Sequence, residues 1–486
     1  MKARSALSFL VLVLPLAAAF VPRGAAVADE APIASASSPS ASSSAPAVDT
    51  PPAAPPATVH PVRSGYTLAR CVQLAEGNYP KIAEARAKAN YYRAQLDEAR
   101  SAPFSQFTLS SGVGVAPTVR GNSIYSPNTD VSLTSSLGLA WRTTIDGFVP
   151  LYTFGKITNL VDAAEAQVKV GENQIRKEKN QVKLDVRKAY FGMVLARSSR
   201  SLLREAADKL DDAIGNLQKT LADGEGDEID VLRIQTFRAE LDARMAEAEK
   251  FERVAWVGLR FLTGVEGSLE IASGHLEPPK HQLGPVATYL TAARLNRPEI
   301  NMARAGMEAR RAQLELARAK LFPDVGVALS AGYARAPEVA DQLNPFVRDD
   351  ANYFRYGFAL GMRWNLDMIP ASARVRQAEA QLEEMRATER FALGGVGVEV
   401  ETTYAEVQDA SKREQAYGNA ERFAKRWMIA VQQGIDVGTN DEKDLIDPAR
   451  QWATQRFNHL NALMDLNVAM SKLALVTGWD LIAPEG

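Results

Sequence analysis

Phe354-Arg355-Tyr356-Gly357-Phe358-Ala359-Leu360-Gly361-Met362-Arg363-Trp364-Asn365-Leu366 alternates without a break. Its even positions are all aromatic or aliphatic, and its odd positions are charged, polar or small. Successive side chains of a β-strand point to opposite faces, so this segment is a ribbon with one greasy side and one wet or narrow side. Upstream, Val325, Val327, Leu329 and Tyr333 alternate more weakly, and the stretch between, Arg335 to Asn352, is rich in Pro, Asn and Asp. That composition predicts a hairpin with a long exposed connection. Downstream, Ala371 to Gly434 contains no proline and is dominated by residues that favour helix. At 1.5 Å per residue such a helix is about 100 Å long, too long for a compact domain and suited to a columnar, coiled element.

The same order occurs earlier in the chain. Val131, Leu133, Leu137, Leu139 and Trp141 alternate with Ser132, Thr134, Ser136, Gly138 and Arg142, after a loop from Ala116 to Asp130 and before a proline-free run from Gly155 to Ala222. The likeness is residue by residue. Asn78, Pro80, Ile82, Ala85, Arg86, Arg93, Gln95, Ala99, Arg100, Phe104 and Gly114 recur as Asn296, Pro298, Ile300, Ala303, Arg304, Arg311, Gln313, Ala317, Arg318, Phe322 and Gly332. The spacing between copies then shortens by four residues, and Ala164-Glu165-Ala166-Gln167, Tyr190, Gly224, Asp230 and Thr263-Gly264 recur as Ala378-Glu379-Ala380-Gln381, Tyr404, Gly438, Asp444 and Thr477-Gly478. One body built from two similar halves follows. The expected boundaries are 63–280 for the first half, with strands at 104–118 and 131–146 and a helical turn at 223–229. The second half is expected at 281–486, with strands at 324–334 and 353–366 and a turn at 437–443. Each half reads as helix, hairpin, then two very long helices.

Composition excludes several classes. The 486 residues carry a formal charge of -2, which gives no electrostatic reason to expect nucleic acid. Cys71 stands alone, and His60, His275, His281 and His459 are scattered, so neither an internal disulfide nor a local zinc motif is expected. Gly394-Gly395-Val396-Gly397 lacks the strand-loop-helix setting of a phosphate loop, and no nucleophile motif is present. The chain reads as a protein that is not an enzyme and binds no cofactor. Lys2 and Arg4 precede an apolar stretch from Ala6 to Val21, and Ala26-Val27-Ala28 follows, the pattern of an export signal over 1–28. From Asp29 to Val62, Ala, Ser and Pro predominate, so 29–62 is expected to be a disordered tether.

Two readings of the strands remain at this level. Alternation over about ten residues with aromatics near the ends marks a bilayer-spanning β-strand, but a half-buried soluble sheet has the same period. Four strands cannot close a barrel, and lipid does not tolerate open strand edges, so a membrane reading requires further copies of the chain. The alternative is a periplasmic or surface-anchored coiled-coil scaffold without a pore.

An exported chain with this duplicated order resembles the TolC family of outer-membrane efflux proteins from about Tyr66 to Trp479. The motifs lie at the turns between the long helices. Val437-Gly438-Thr439 precedes Asp444-Leu445-Ile446, and Gly224 precedes Asp230-Val231-Leu232 at the same separation, with Asp223 where the family has valine. Arg297-Pro298-Glu299-Ile300 is similar to the family's helix-opening segment. The resemblance implies an α+β membrane protein: a homotrimer whose hairpins form one twelve-stranded β-barrel in outer-membrane lipid, continuous with an α-helical periplasmic tunnel. It further implies a passive exit duct of a tripartite efflux or type I secretion system. A periplasmic adaptor (membrane fusion) protein and an inner-membrane pump of RND or ABC type would open it at the periplasmic tip. By the same resemblance Gly224, Gly438 and Thr439 belong to the adaptor contact, Asp444 and Asp447 narrow the tip, and Asp230 is a further tip aspartate. The family's locking tyrosine and arginine align with Ile435 and Asn440, so the lock differs here. Physically, rings of carboxylates in a narrow pore favour cations. Asp230 and Asp444 also sit where an N-cap of the returning helix belongs, and both roles stay open at this level.

Overall fold

The computed structural model describes residues 65–484 apart from 105, 121–131, 225–226, 268, 273–274 and 340–347. The expected export signal, the tether and the centres of both strand-connecting loops lie outside the described residues. In chain order the elements are α1 (Leu68–Asn78), α2 (Pro80–Ser101), β1 (Phe107–Arg120), β2 (Ser132–Tyr152), α3 (Lys156–Ala222) and α4 (Glu228–Thr263). The order then repeats as α5 (Val286–Asn296), α6 (Pro298–Ala319), β3 (Asp324–Arg335), β4 (Tyr353–Arg363), α7 (Met368–Asp436) and α8 (Ile446–Thr477), the last preceded by a 3-10 turn, Glu442–Leu445.

The duplication shows in contacts as well as in order. Pro80 and Pro298 each open a 22-residue helix at a position where the missing N–H costs nothing. Arg100 reaches Glu165 at 2.8 Å in the first half, and the equivalent Arg318 reaches Glu379 at 3.0 Å in the second. The returning helices α4 and α8 end on Gly264 and Gly478, both at φ 66°, with Thr263 and Thr477 hydroxyls donating back to the carbonyls of Leu259 and Leu473. Matching side chains build two cores: Ile82, Val186 and Leu259 in one, Ile300, Val400 and Leu473 in the other, all fully buried. Cys71 occupies in the first core the position held by Tyr289 in the second.

The helical part differs from the expectation in two ways. Each half has a short helix, α1 or α5, ahead of the one expected, because Asn78-Tyr79-Pro80 and Asn296-Arg297-Pro298 break a single helical run. And only one helix per half is very long. α3 has 67 residues and α7 has 69, while the returning α4 and α8 have 36 and 32. α3 packs along α4 over part of its length and along α2 and α6 over the rest, so the column's partner strand is assembled from separate helices. The seams use small residues, among them Ala163, Ala166, Ala189, Ala196 and Ala207 of α3, which lets the axes approach closely.

The two hairpins form one antiparallel sheet in the order β1-β2-β3-β4. Pairing of β2 with β3 joins the halves, from Trp141↔Arg335 to Tyr152↔Val325. β2 therefore runs beyond the expected end near Asp146, because Val149 pairs Val327 although the local alternation has lapsed. β4 stops at Arg363, and the Trp364 indole N–H donates instead to the Leu321 carbonyl at 3.0 Å. The register lines up one face across all four strands: Leu109, Ile145, Ala331 and Tyr356 form one row, and Phe107, Gly147, Leu329 and Phe358 the next. Tyr356 and Phe358 are 80% and 82% exposed. Rows on the opposite face read Thr108, Asp146, Ser330, Gly357 and Ser110, Thr144, Gly332, Arg355. The outer edges of the sheet are β1 and β4.

Candidate functional site

At one end of the helical layer the chain reverses twice. α3 ends at a turn where Gly224 has φ 83°, and α7 ends at one where Gly438 has φ 76°. A Cβ at either would meet nothing within 4 Å, so it is the left-handed backbone and not lack of space that calls for glycine. Thr439 closes the second turn: its amide donates to the Gly434 carbonyl at 2.8 Å and its hydroxyl to the same oxygen at 3.0 Å. Gly224, Gly438 and Thr439 are all exposed.

The aspartates take different places from those their spacing suggests. Asp227, not Asp230, caps α4: its backbone is extended and its carboxylate accepts the Ile229 amide at 2.9 Å. Asp230 is already in the first helical turn, where it accepts from Arg233 at 3.3 Å. Asp441, likewise, is the N-cap of the 3-10 turn, and Asp444 returns the bond by accepting the Asp441 amide at 3.0 Å, a reciprocal capping box. Asp447 lies in the first turn of α8 and is exposed. All five aspartates sit at helix starts, where the backbone amides favour negative charge.

A cation that spacing alone did not single out sits among them. Lys443 is 3.0 Å from Asp441. Its hydrogen bond and charge contact with Asp441 raise the ammonium above its ordinary value, with smaller contributions from Asp230 and Asp444. Asp230 belongs to the first turn and Lys443 to the second, so the fold brings the two turns side by side. Slightly further along, Arg450 of α8 reaches Glu240 of α4 at 3.6 Å and lies 5.3 Å from the Phe237 ring centre. The signal was in the sequence: Lys443 is the one basic residue between Asp436 and Asp447.

Among the described residues no group of three or more His, Cys, Asp and Glu side chains is placed to hold a metal ion, and no helix is long and apolar enough to cross a membrane. Much of the exposed apolar surface is on the sheet. A two-faced antiparallel sheet, joined to helices of some 100 Å with their turns gathered at one end, is the arrangement expected of an outer-membrane channel protein.

The family described as outer membrane efflux protein matches residues 71–265 and 289–479, once for each half, and the chain belongs to it. By that membership it is an outer-membrane efflux protein. Protein CyaE of Bordetella pertussis is 23% identical over 403 residues, which cover 81% of this chain and 80% of that protein. The fold is shared with solved channels. CusC superposes with a TM-score of 0.68 at 17% identity, covering 88% of this chain and 98% of CusC. The Campylobacter jejuni CmeC outer membrane channel gives 0.67 at 15%, covering 89% and 94%. The open state of the Neisseria gonorrhoeae MtrE outer membrane channel gives 0.67 at 16%, covering 87% and 93%.

Proposed function

We propose that the chain works as a homotrimer, a passive exit duct whose three four-stranded sheets close one twelve-stranded barrel and whose helices continue it as a periplasmic tunnel. The observation that carries this is the sheet: one mostly apolar face, one mostly polar or small face, and outer edges at β1 and β4. Unpaired edge amides and carbonyls each cost several kcal/mol in hydrocarbon, and joining β1 of one copy to β4 of the next satisfies both edges at once. The chemistry of the two faces then assigns lipid to the Tyr356–Phe358 side and the pore to the Asp146–Arg355 side.

The turns form the duct's inner end. Asp230, Asp444 and Asp447 constrict it and set its charge, and Gly224, Gly438 and Thr439 present the surface that a periplasmic adaptor grips when an inner-membrane pump engages. With no resident cofactor, the duct changes aperture only, and the energy is supplied by the pump. Residues 1–28 act as the export signal and 29–62 as a tether. Detergent-purified protein should sediment as a trimer, stay with membranes through salt and carbonate washing, and give discrete conductance steps in planar bilayers. A water-soluble, non-conducting monomer would overturn the reading.

A further inference from the structure

The sheet face assigned to the pore is built mostly from short side chains. Its rows read Gly112, Arg142, Ala334, Tyr353, then Ser110, Thr144, Gly332, Arg355, then Thr108, Asp146, Ser330, Gly357. Nearer the helices, Arg363 of β4 shares that face. A Cβ on Gly112, Gly357 or Gly361 would meet nothing within 4 Å. On a wall this low, the arginines are the side chains that reach furthest into the space it encloses.

The three arginines differ in what holds them. Arg355 pairs with Asp350 at 2.7 Å and lies 4.2 Å from the Tyr353 ring centre. Arg363 donates to the Gln106 carboxamide oxygen at 2.5 Å and lies 4.4 Å from the Phe148 ring centre, contacts that leave its charge in place. Asp324, opposite Arg363 in the register, is taken by Lys156 at 2.8 Å. Arg142 is exposed between Gly112 and Ala334, and among the described residues no carboxylate or ring lies against it. Asp146 stands four residues further along β2, about 13 Å away at the rise of a strand. That is beyond the roughly 10 Å over which 0.1 M salt lets charges act, so Asp146 does not cancel Arg142. On the described part of the face, two uncompensated guanidinium groups per chain stand against one carboxylate.

We infer that Arg142, with Arg363 and Arg355, makes the barrel an anion-attracting collar, and that the cargo it favours carries a carboxylate, sulfonate or phosphate. The inference rests on the trimeric reading and adds the cargo's chemical class. Twelve strands spaced about 4.8 Å apart and tilted about 40° enclose a cylinder roughly 24 Å across, so the wall is about 12 Å from the axis. This is close to the screening distance at 0.1 M salt, and the field of the arginines therefore fills the lumen. Its sign is opposite to that of the aspartate-lined turns at the far end of the helices. Narrow acidic turns hold anions back, and once the turns part the collar draws an anion outwards.

The test uses the full-length protein in lipid vesicles with Cys71→Ala as background. Ser110→Cys, in the row next to Arg142, is reacted with two methanethiosulfonates of like size, one bearing a sulfonate and the other a quaternary ammonium. Relative to a free thiol in solution, it should prefer the sulfonate reagent roughly tenfold at low salt. Arg142→Gln should remove most of that preference, and Arg142→Lys should keep it. Ser330→Cys, beside Asp146, should show a smaller preference, and salt near 1 M should erase both. In planar bilayers under a salt gradient, Arg142→Gln should move the reversal potential towards the cation side. A preference that ignores Arg142→Gln, or a faster ammonium reagent at Ser110→Cys, overturns the collar and leaves the duct standing. Ser110→Cys and Ser330→Cys both inert in an assembled oligomer would overturn the pore-side assignment and the collar with it, and a monomer in sedimentation overturns the duct itself.

Discussion

The Asp444 carboxylate accepts the Asp441 amide and, in a trimer, would also face the pore axis. A capping box uses one lone pair of a carboxylate and leaves its charge in place, so capping is compatible with the proposed pore role. Lys443 matters more, since its ammonium lies among Asp441, Asp230 and Asp444 and offsets part of the negative field. Replacing Asp444 and Asp447 together by Asn should therefore roughly halve the cation-to-anion permeability ratio, and Lys443→Ala should raise it. Reversal potentials under a salt gradient measure both, and equal shifts of the same sign would reject the ring. Cys71 gives a second prediction at this scale. Burial pushes its thiol up to about 12. The thiolate is the reactive form, so iodoacetamide at pH 8 should leave it unmodified in the folded protein and alkylate it fully once urea unfolds the chain.

The strands are legible as elements because their information is local. Phe354 to Leu366 declares two faces within thirteen residues, and no other part of the chain is needed to read them. The prediction follows the faces. Phe358→Arg, on the lipid side, should cost about 2–4 kcal/mol near the bilayer midplane and lower the amount of heat-stable oligomer in outer membranes. Ser330→Arg, on the opposite face, should assemble normally and change conductance only. Semi-native gels separate the two outcomes, and loss from Ser330→Arg but not from Phe358→Arg would mean that the faces are assigned the wrong way round. Helix lengths were less legible. A proline-free, alanine-rich run can be counted for α3 and α7, but α4 and α8 stop at glycines whose capping role depends on what lies beyond them: a Cβ on Gly478 would meet the Asn296 backbone at 2.8 Å.

For the whole molecule the question is what ties the halves together. Asp480, in the turn after α8, accepts from Lys183 at 2.7 Å and pairs with Arg187 at 2.8 Å, both on α3 of the first half. Burial pushes its carboxyl up, but Arg187 and Lys183 outweigh burial and hold it below the ordinary value of 3.8. A carboxyl depressed on folding contributes stability above the unfolded value and loses it as pH falls through the lower folded one. Asp480→Asn should thus lower stability by about 1 kcal/mol at pH 7, a figure reduced for partial solvent screening. The gap between variant and parent should close as the pH is taken below 3.8, as thermal melts in detergent would record. A gap constant with pH would assign the loss to packing and not to charge.

The duplication, the two-faced strands and the long helices were determined by the sequence alone, because each is a pattern of near neighbours or of one half matched with the other. The class of protein was legible through the resemblance of the duplicated order and turn motifs to a known family, since the strand pattern by itself left a soluble sheet open. The tertiary structure decided what depends on distant partners. It joined β2 to β3 into one sheet, set Lys443 beside Asp230, and moved the caps to Asp227 and Asp441. A cap is defined by where the backbone turns from extended to helical, and a charge by which strangers in sequence lie next to it. Neither is written in the spacing of a residue from its own repeat.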